Sequence, residues 1–393
     1  MARFQERIAC LQDRIRERDL SGAMTHASRD IYYYTGTAQP GWLVVLPSDA
    51  FLFVRAGLDF AQTQSALSGD RILREGSLER IVSSVFGHNT AGLVIGAELD
   101  LMTVPQYRKL QEQLHDTRLV DISSDILDQR MIKDSKEVAA IELATAALDA
   151  GHRAAVENWR PGISELEASA FVEDGQRRAG HEGVYFVRQP DFTMGRGPLA
   201  SGENIGRISG VVFTISGCGL SAAVPAGAGR RSIRAGDLVI VDIPTCVQGY
   251  HGDQTRTYCM GRPSDETARL YERLRDVADG LIADILPGMS SGDVFARACF
   301  HADRLGLHDA FLKFPDGKQA HFVGHGVGLD LNEPPFLSRG GREPIREGMI
   351  LAVELHVCDE QAGMVKLEDM VLVGRDGCRL LTHSPRELIE ISC

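Results

Sequence analysis

Apolar positions recur at helical spacing over residues 4–19, where Ile8, Leu11 and Ile15 share one stripe, and predict an opening amphipathic helix. Short apolar runs of strand length follow at 41–46, 50–54 and 91–95, so the first third alternates helix and strand as a small α/β domain. A charged stretch over 128–134 precedes Ser135, the expected N-cap of a long helix through Val138, Ile141, Ala144 and Leu148. Two domains are therefore expected, 1–127 and 128–393.

The second domain repeats itself. Pro161-Gly-Ile-Ser164 and Pro287-Gly-Met-Ser290 lie 126 residues apart, and Arg178 and Arg304 keep the same offset. In each copy a Pro-Gly breaks the chain, a Ser stands ready to cap a helix, and Gly180 or Gly306 closes it. Helices over 135–156 and 265–286 precede these, so the repeated unit is a helix pair. Strands repeat as well. The run 236–242 ends on Asp242 as the run 348–354 ends on Glu354, each a Gly-led apolar strand terminating in a carboxylate. The pattern is that of a duplicated α+β half with a site shared between the halves.

Composition changes the picture in one direction. With 42 basic against 54 acidic residues the net charge is −12, which leaves little spare positive field for nucleic acid or an anionic membrane surface. No apolar window reaches the length of a membrane span. Eight cysteines are scattered without a C-x-x-C pair, and no apolar signal core stands near the start, so reduced thiols and a cytoplasmic location are expected.

The chemistry resides in the carboxylates. Asp242 at the end of an apolar strand needs a cation partner, because burying it alone costs several kcal/mol. Asp253 follows within 249–258, a stretch expected to be one hairpin return strand. Glu354 ends the matching strand of the second half, and Glu368 lies on its return strand. Between the halves stands His325 in Gly324-His-Gly-Val-Gly328, whose glycines are expected to let backbone approach a ligand. Taken singly, each of these residues reads more readily as an ordinary cap or surface charge. Four carboxylates converging from two hairpins would repel one another unless divalent cations neutralised them. Oxygen-rich ligation with one imidazole suits Mn²⁺, Fe²⁺, Co²⁺ or Zn²⁺.

The order Asp242, Asp253, His325, Glu354, Glu368 resembles the ligand set of the pita-bread metallopeptidases, which include Xaa-Pro aminopeptidases, prolidases, methionine aminopeptidases and creatinase. Asp253-Gln-Thr-Arg256 is similar to that family's D-x-T-R, Gly324-His-Gly-Val-Gly-Leu329 to its G-H-G-x-G-L, and Leu367-Glu-Asp369 to its E-D. Asp30-Ile-Tyr-Tyr-Tyr-Thr-Gly36 is similar to a segment of the creatinase-type N-terminal domain. The resemblance implies an α+β pita-bread catalytic domain with a pseudo-twofold repeat, preceded by a smaller α/β creatinase-type domain. It implies two divalent ions, Mn²⁺ first among them, and a dinuclear hydrolase of peptide or amide bonds acting on a small substrate. Asp242 would chelate one ion, Asp253 and Glu368 would bridge the two, and His325 and Glu354 would each ligate one. Water would be the nucleophile, oriented and deprotonated by Glu354, and His321 would help hold the substrate. A homodimer is also implied, in which Tyr32, Tyr33 and Trp42 would wall a substrate pocket.

The sequence departs from the family on the substrate side. Ala226, in Val224-Pro-Ala-Gly227, stands where the family carries a histidine. Asn332, in Asn332-Glu-Pro-Pro335, replaces a second histidine, Lys366 replaces an arginine, and His356 is an added imidazole near Glu354. Asn332, His356 and Tyr33 are the expected substrate-binding residues. His251 or His356 is a candidate replacement imidazole, although each would equally suit a solvated hairpin position. A specialised C–N hydrolase of creatinase or ectoine-hydrolase type, or a metal-dependent lyase, is the alternative reading. A binding module that lost catalysis is a third, and the presence of all five ligand types weighs against it.

Overall fold

The computed structural model describes residues 2–189, 197–210 and 214–392, which form two compact units, Met1–Arg130 and Met131–Cys393. In the first unit six strands form one sheet, β1 (Gly22–Thr25), β2 (Gly41–Val45), β3 (Ala50–Val54), β4 (Ile72–Arg74), β5 (Val94–Ala97) and β6 (Arg118–Asp121), in the order β4-β3-β2-β1-β5-β6. The run expected at 91–95 begins as strand only at Val94, because Gly92 turns the chain with φ +81°. The helices of this unit are α1 (Ala2–Glu17), α2 (Ser28–Thr35), α3 (Leu58–Gln64), α4 (Leu78–Phe86), α5 (Val104–Gln113) and α6 (Ser123–Met131). Helix α1 buries Ile8, Leu11 and Ile15, the stripe its spacing predicts. A buried ion pair, Arg130 Nη1 to Asp30 Oδ1 at 2.8 Å, ties α6 to α2.

The second unit opens with α7 (Ser135–Asn158) and α8 (Glu165–Arg178) and repeats this pair as α9 (Asp265–Asp284) and α10 (Ser291–Arg304). The cap of α7 is Asp134, not the expected Ser135. The Asp134 carboxylate accepts from the Lys136 and Glu137 N–H groups, and the Glu137 side chain returns to the Asp134 N–H. A carboxylate one residue earlier thus satisfies the donors that a Ser135 hydroxyl would have met. Ser164 caps α8 with Glu167 at the third position, and Ser290 caps α10 with Asp293, so the two Pro-Gly-x-Ser segments are capping boxes.

The strands of this unit are β7 (Leu199–Ser201), β8 (Leu238–Val241), β9 (Thr245–Val247), β10 (Tyr250–Gly252), β11 (Arg256–Met260), β12 (Phe322–Gly326), β13 (Glu333–Ser338), β14 (Ile350–Asp359), β15 (Gly363–Val373), β16 (Cys378–Leu380) and β17 (Ile389–Ile391). They pair as a four-stranded sheet β17-β11-β8-β7, a five-stranded sheet β13-β12-β14-β15-β16, and the small pair β10-β9. Ala155, Trp159, Ala168 and Val172 of the first helix pair and its connection pack against Val239, Val241, Tyr258 and Met260 of the four-stranded sheet. Leu274, Leu281, Val294 and Ala298 of the second pair pack against Leu351, Val353, Val365 and Leu367 of the five-stranded sheet. Each half is thus a helix pair laid on a sheet, as the internal repeat predicts.

The single return strand expected over 249–258 is broken after Gly252. The Asp253 N–H donates to the Met370 sulfur, and the Thr255 carbonyl accepts from the Glu368 N–H at 3.2 Å. These backbone groups turn from their own hairpin to β15, which brings the two halves together at Asp253. The seven described cysteines are free thiols, and Cys393 lies outside the described residues. No described helix is long and apolar enough to cross a membrane.

Candidate metal centre

Strand pleating sets the site. In the β14–β15 ladder Glu354 stands directly opposite Glu368, and His356 opposite Lys366, all on one face because side chains two apart point the same way. Asp242 follows the end of β8, Asp253 precedes β11, and His325 sits on β12 beside β14. Donor atoms of Asp253, His325 and Glu368 lie within 4.8 Å of one another, as do those of Asp242, Glu354 and Glu368. The two sets share Glu368, and every member is buried. The five residues singled out from the sequence are therefore brought to one place.

The motifs around them hold the geometry. Thr255 Oγ1 donates to Glu368 Oε2 at 2.7 Å, while Arg256 donates to the Glu368 carbonyl at 2.6 Å and to Asp369 Oδ1 at 2.7 Å. The Thr-Arg of one hairpin thus anchors the Glu-Asp of the other. His325 Nδ1 lies 3.1 Å from the Gly326 carbonyl oxygen, a bond that leaves Nε2 as the lone-pair nitrogen, 3.6 Å from Asp253 Oδ2. The glycines beside it also allow close packing of the neighbouring strands. A Cβ at Gly324 would come within 2.0 Å of the Ala352 carbonyl oxygen, and one at Gly326 within 2.3 Å of that of Pro334.

The electrostatics follow from crowding. Burial, with Asp242 and Glu354 close by, drives the Asp253 carboxyl well above its usual range, and burial with Asp253 does the same to Glu368. Glu354 moves the other way: burial raises it, but the Lys366 ammonium, His325 and Thr214 together bring it below its usual range. Such a donor set, carboxylate oxygens with one neutral imidazole, fits a divalent cation, which would relieve the repulsion.

Lys366 is the cation partner that the position of Asp242 demands. Fully buried, its Nζ lies 2.5 Å from Asp242 Oδ2, 2.5 Å from Glu354 Oε1 and 3.9 Å from Glu368 Oε2, and it also donates to Thr214 Oγ1. Thr214 in turn reaches Asp242 Oδ2 at 3.1 Å. In sequence Lys366 is visible as a departure from the family pattern; Thr214 bears no signal there.

The substrate-side residues are spread more widely. His321 is exposed just before β12, and Asn332 is half-buried just before β13. His356 is buried against Phe314, ring centroids 4.7 Å apart, and its Nε2 has no partner; burial and Lys366 push its pKa down to about 4. His251 is also buried rather than solvated. Its Nε2 accepts from the Phe186 N–H at 2.9 Å and its Nδ1 lies 3.0 Å from the Gly328 carbonyl, so both ring nitrogens are engaged in structure. Ala226 is buried. Tyr33 lies in the interior of the first unit, its hydroxyl donating to the Gln129 carbonyl at 3.1 Å and Arg7 stacked over its ring. In the same unit Trp42 stacks on His26.

Comparison with known proteins gives a consistent picture. The profile of metallopeptidase family M24 matches residues 139–375, and that of the creatinase/prolidase N-terminal domain matches 7–132. Among curated proteins, an uncharacterized peptidase, YqhT, from Bacillus subtilis is 28% identical over 376 residues, 94% of this chain and 96% of that protein. An Xaa-Pro dipeptidase from Pyrococcus furiosus is 27% identical over 364 residues, 92% of each chain. The solved prolidase from Pyrococcus horikoshii superposes with a TM-score of 0.80 at 23% identity, covering 98% of this chain and 100% of its own. An Xaa-Pro dipeptidase from Bacillus anthracis gives 0.81 at 22%, covering 98% and 99%. At these identities the superpositions speak to fold.

Proposed function

The chain belongs to metallopeptidase family M24 and is a metal-dependent hydrolase, and from that premise we propose that it cleaves the peptide bond of a small peptide, an Xaa-Pro dipeptide foremost. The observation that supports this is the pair of overlapping donor sets, Asp253–His325–Glu368 and Asp242–Glu354–Glu368. These five side chains would hold the divalent ions, Mn²⁺ being the first to test. Bound there, divalent ions would polarise the scissile carbonyl and make an attacking water acidic enough to react near neutral pH. Glu354, ionised beside Lys366, orients that water and takes its proton. Asn332 donates a hydrogen bond to a substrate oxygen but moves no proton. His321, exposed just before β12, helps hold the substrate, and His356 offers a buried ring nitrogen without a partner.

The test is a substrate screen on Mn²⁺-reconstituted protein with Glu354→Ala as the blank. Release of Pro from Xaa-Pro dipeptides, lost in the blank, supports the proposal. A second reading is favoured by Ala226 and Asn332, which leave two positions without an imidazole: a specialised hydrolase of a C–N bond in a small metabolite. Metal-dependent stability without turnover of any peptide would decide for it.

A further inference from the structure

The two donor sets are not equivalent. Lys366 reaches only Glu368 of the first set, and that at 3.9 Å, but it lies 2.5 Å from both Asp242 and Glu354 of the second. An ammonium has three protons to donate, and Asp242, Glu354 and Thr214 accept all three. The group is therefore saturated where it stands, with its stem wholly buried in β15. Residue type matters here. A lysine head is a compact point charge that fits among carboxylates, whereas an arginine presents a broad planar fork.

Charge leads to the same asymmetry. One divalent ion among Asp253, His325 and Glu368, together with the ammonium, offsets most of the negative charge of the four carboxylates. A second divalent ion added beside the ammonium would make a buried site net positive and set two cations against each other at close range in a medium of low dielectric. It would also need the oxygens that Lys366 already occupies.

We propose that Lys366 is a resident cation of the Asp242–Glu354–Glu368 half of the site, so that the protein holds one divalent ion firmly at Asp253–His325–Glu368 and admits a second only by expelling the lysine head. This rests on the reading of the five residues as a metal site. The lysine thereby sets the metal stoichiometry, and the second ion becomes a matter of its free concentration.

The experiment is calorimetric titration of chelator-stripped protein with Mn²⁺, with the electron paramagnetic resonance spectrum recorded at each equivalent and folding checked by circular dichroism. The wild type is expected to take one equivalent with an isolated-ion spectrum, and a second at least about tenfold more weakly. In Lys366→Met the second equivalent tightens by about tenfold or more and the spectrum becomes that of a coupled pair. Thr214→Val, which removes one anchor of the ammonium, shifts the second equivalent in the same direction by less. Two equivalents of like affinity in the wild type overturn the proposal even if Lys366→Met does not fold, as does an unchanged affinity ratio in the variants. Absence of any Mn²⁺ binding overturns the metal site itself, and is distinguishable from both.

Discussion

Glu354 is assigned a chemical task distinct from holding the fold, and Glu354→Gln separates the two. The amide keeps the shape and loses the base, so kcat on the productive substrate is expected to fall by about 10²–10⁴-fold, while far-UV circular dichroism stays that of the wild type. His356→Ala tests whether its unpartnered nitrogen touches substrate. A raised KM or lowered kcat supports that role, and unchanged turnover removes it. At this scale the sequence was informative about types and uninformative about partners. Asp242 at a strand end implied a cation, yet Lys366 lies 124 positions away and nothing local connects the two. His251 and His356 looked alike as hairpin histidines. Only packing distinguishes them, engaging both nitrogens of one and leaving a nitrogen of the other free.

The repeated elements make their own predictions. Ser164 and Ser290 occupy matching caps, so Ser164→Ala and Ser290→Ala should each cost about 1 kcal/mol in denaturant unfolding. Helix α7 meets β11 where His152 Nδ1 lies 2.9 Å from the Tyr258 hydroxyl. Burial lowers the His152 pKa below 6.5, with Asp149 opposing and Arg256 and Arg153 assisting. A depressed histidine is kept neutral by the fold, so its contribution to stability is complete above pH 6.5 and is lost as pH falls toward the folded value, when the unfolded chain binds the proton first. His152→Gln should flatten the loss of unfolding free energy between pH 7 and pH 5, by up to about 1.4 kcal/mol per pH unit. The strand containing His325 could be read as glycine-rich, but not the reason: Gly324 and Gly326 sit against the carbonyls of Ala352 and Pro334, contacts made by other strands.

The whole chain comprises two units with separate cores, and calorimetry should resolve two unfolding transitions. Mn²⁺ is expected to raise only the transition of the unit 131–393, because ligand binding stabilises the unit that holds the site. Arg130→Ala, which takes the guanidinium from buried Asp30, should lower only the other, by about 3–5 kcal/mol. If Mn²⁺ moved the transition that Arg130→Ala lowers, the assignment of the metal to the second unit would fall.

By itself the sequence determined what periodicity and local spacing encode: most of the helices and strands, the serine caps of the repeated helix pair, the duplicated half, and the ordered set Asp242, Asp253, His325, Glu354 and Glu368. Those features depend on neighbours a few residues apart, or on a repeat that can be aligned by eye. The tertiary structure alone decided how the hairpins interlock, with Asp253 and Thr255 turning away from their own ladder to β15, and where the ammonium of Lys366 comes to rest. Both depend on which distant chains share a buried volume, where an unpaired charge is costly and three acceptors can fix one lysine among the carboxylates.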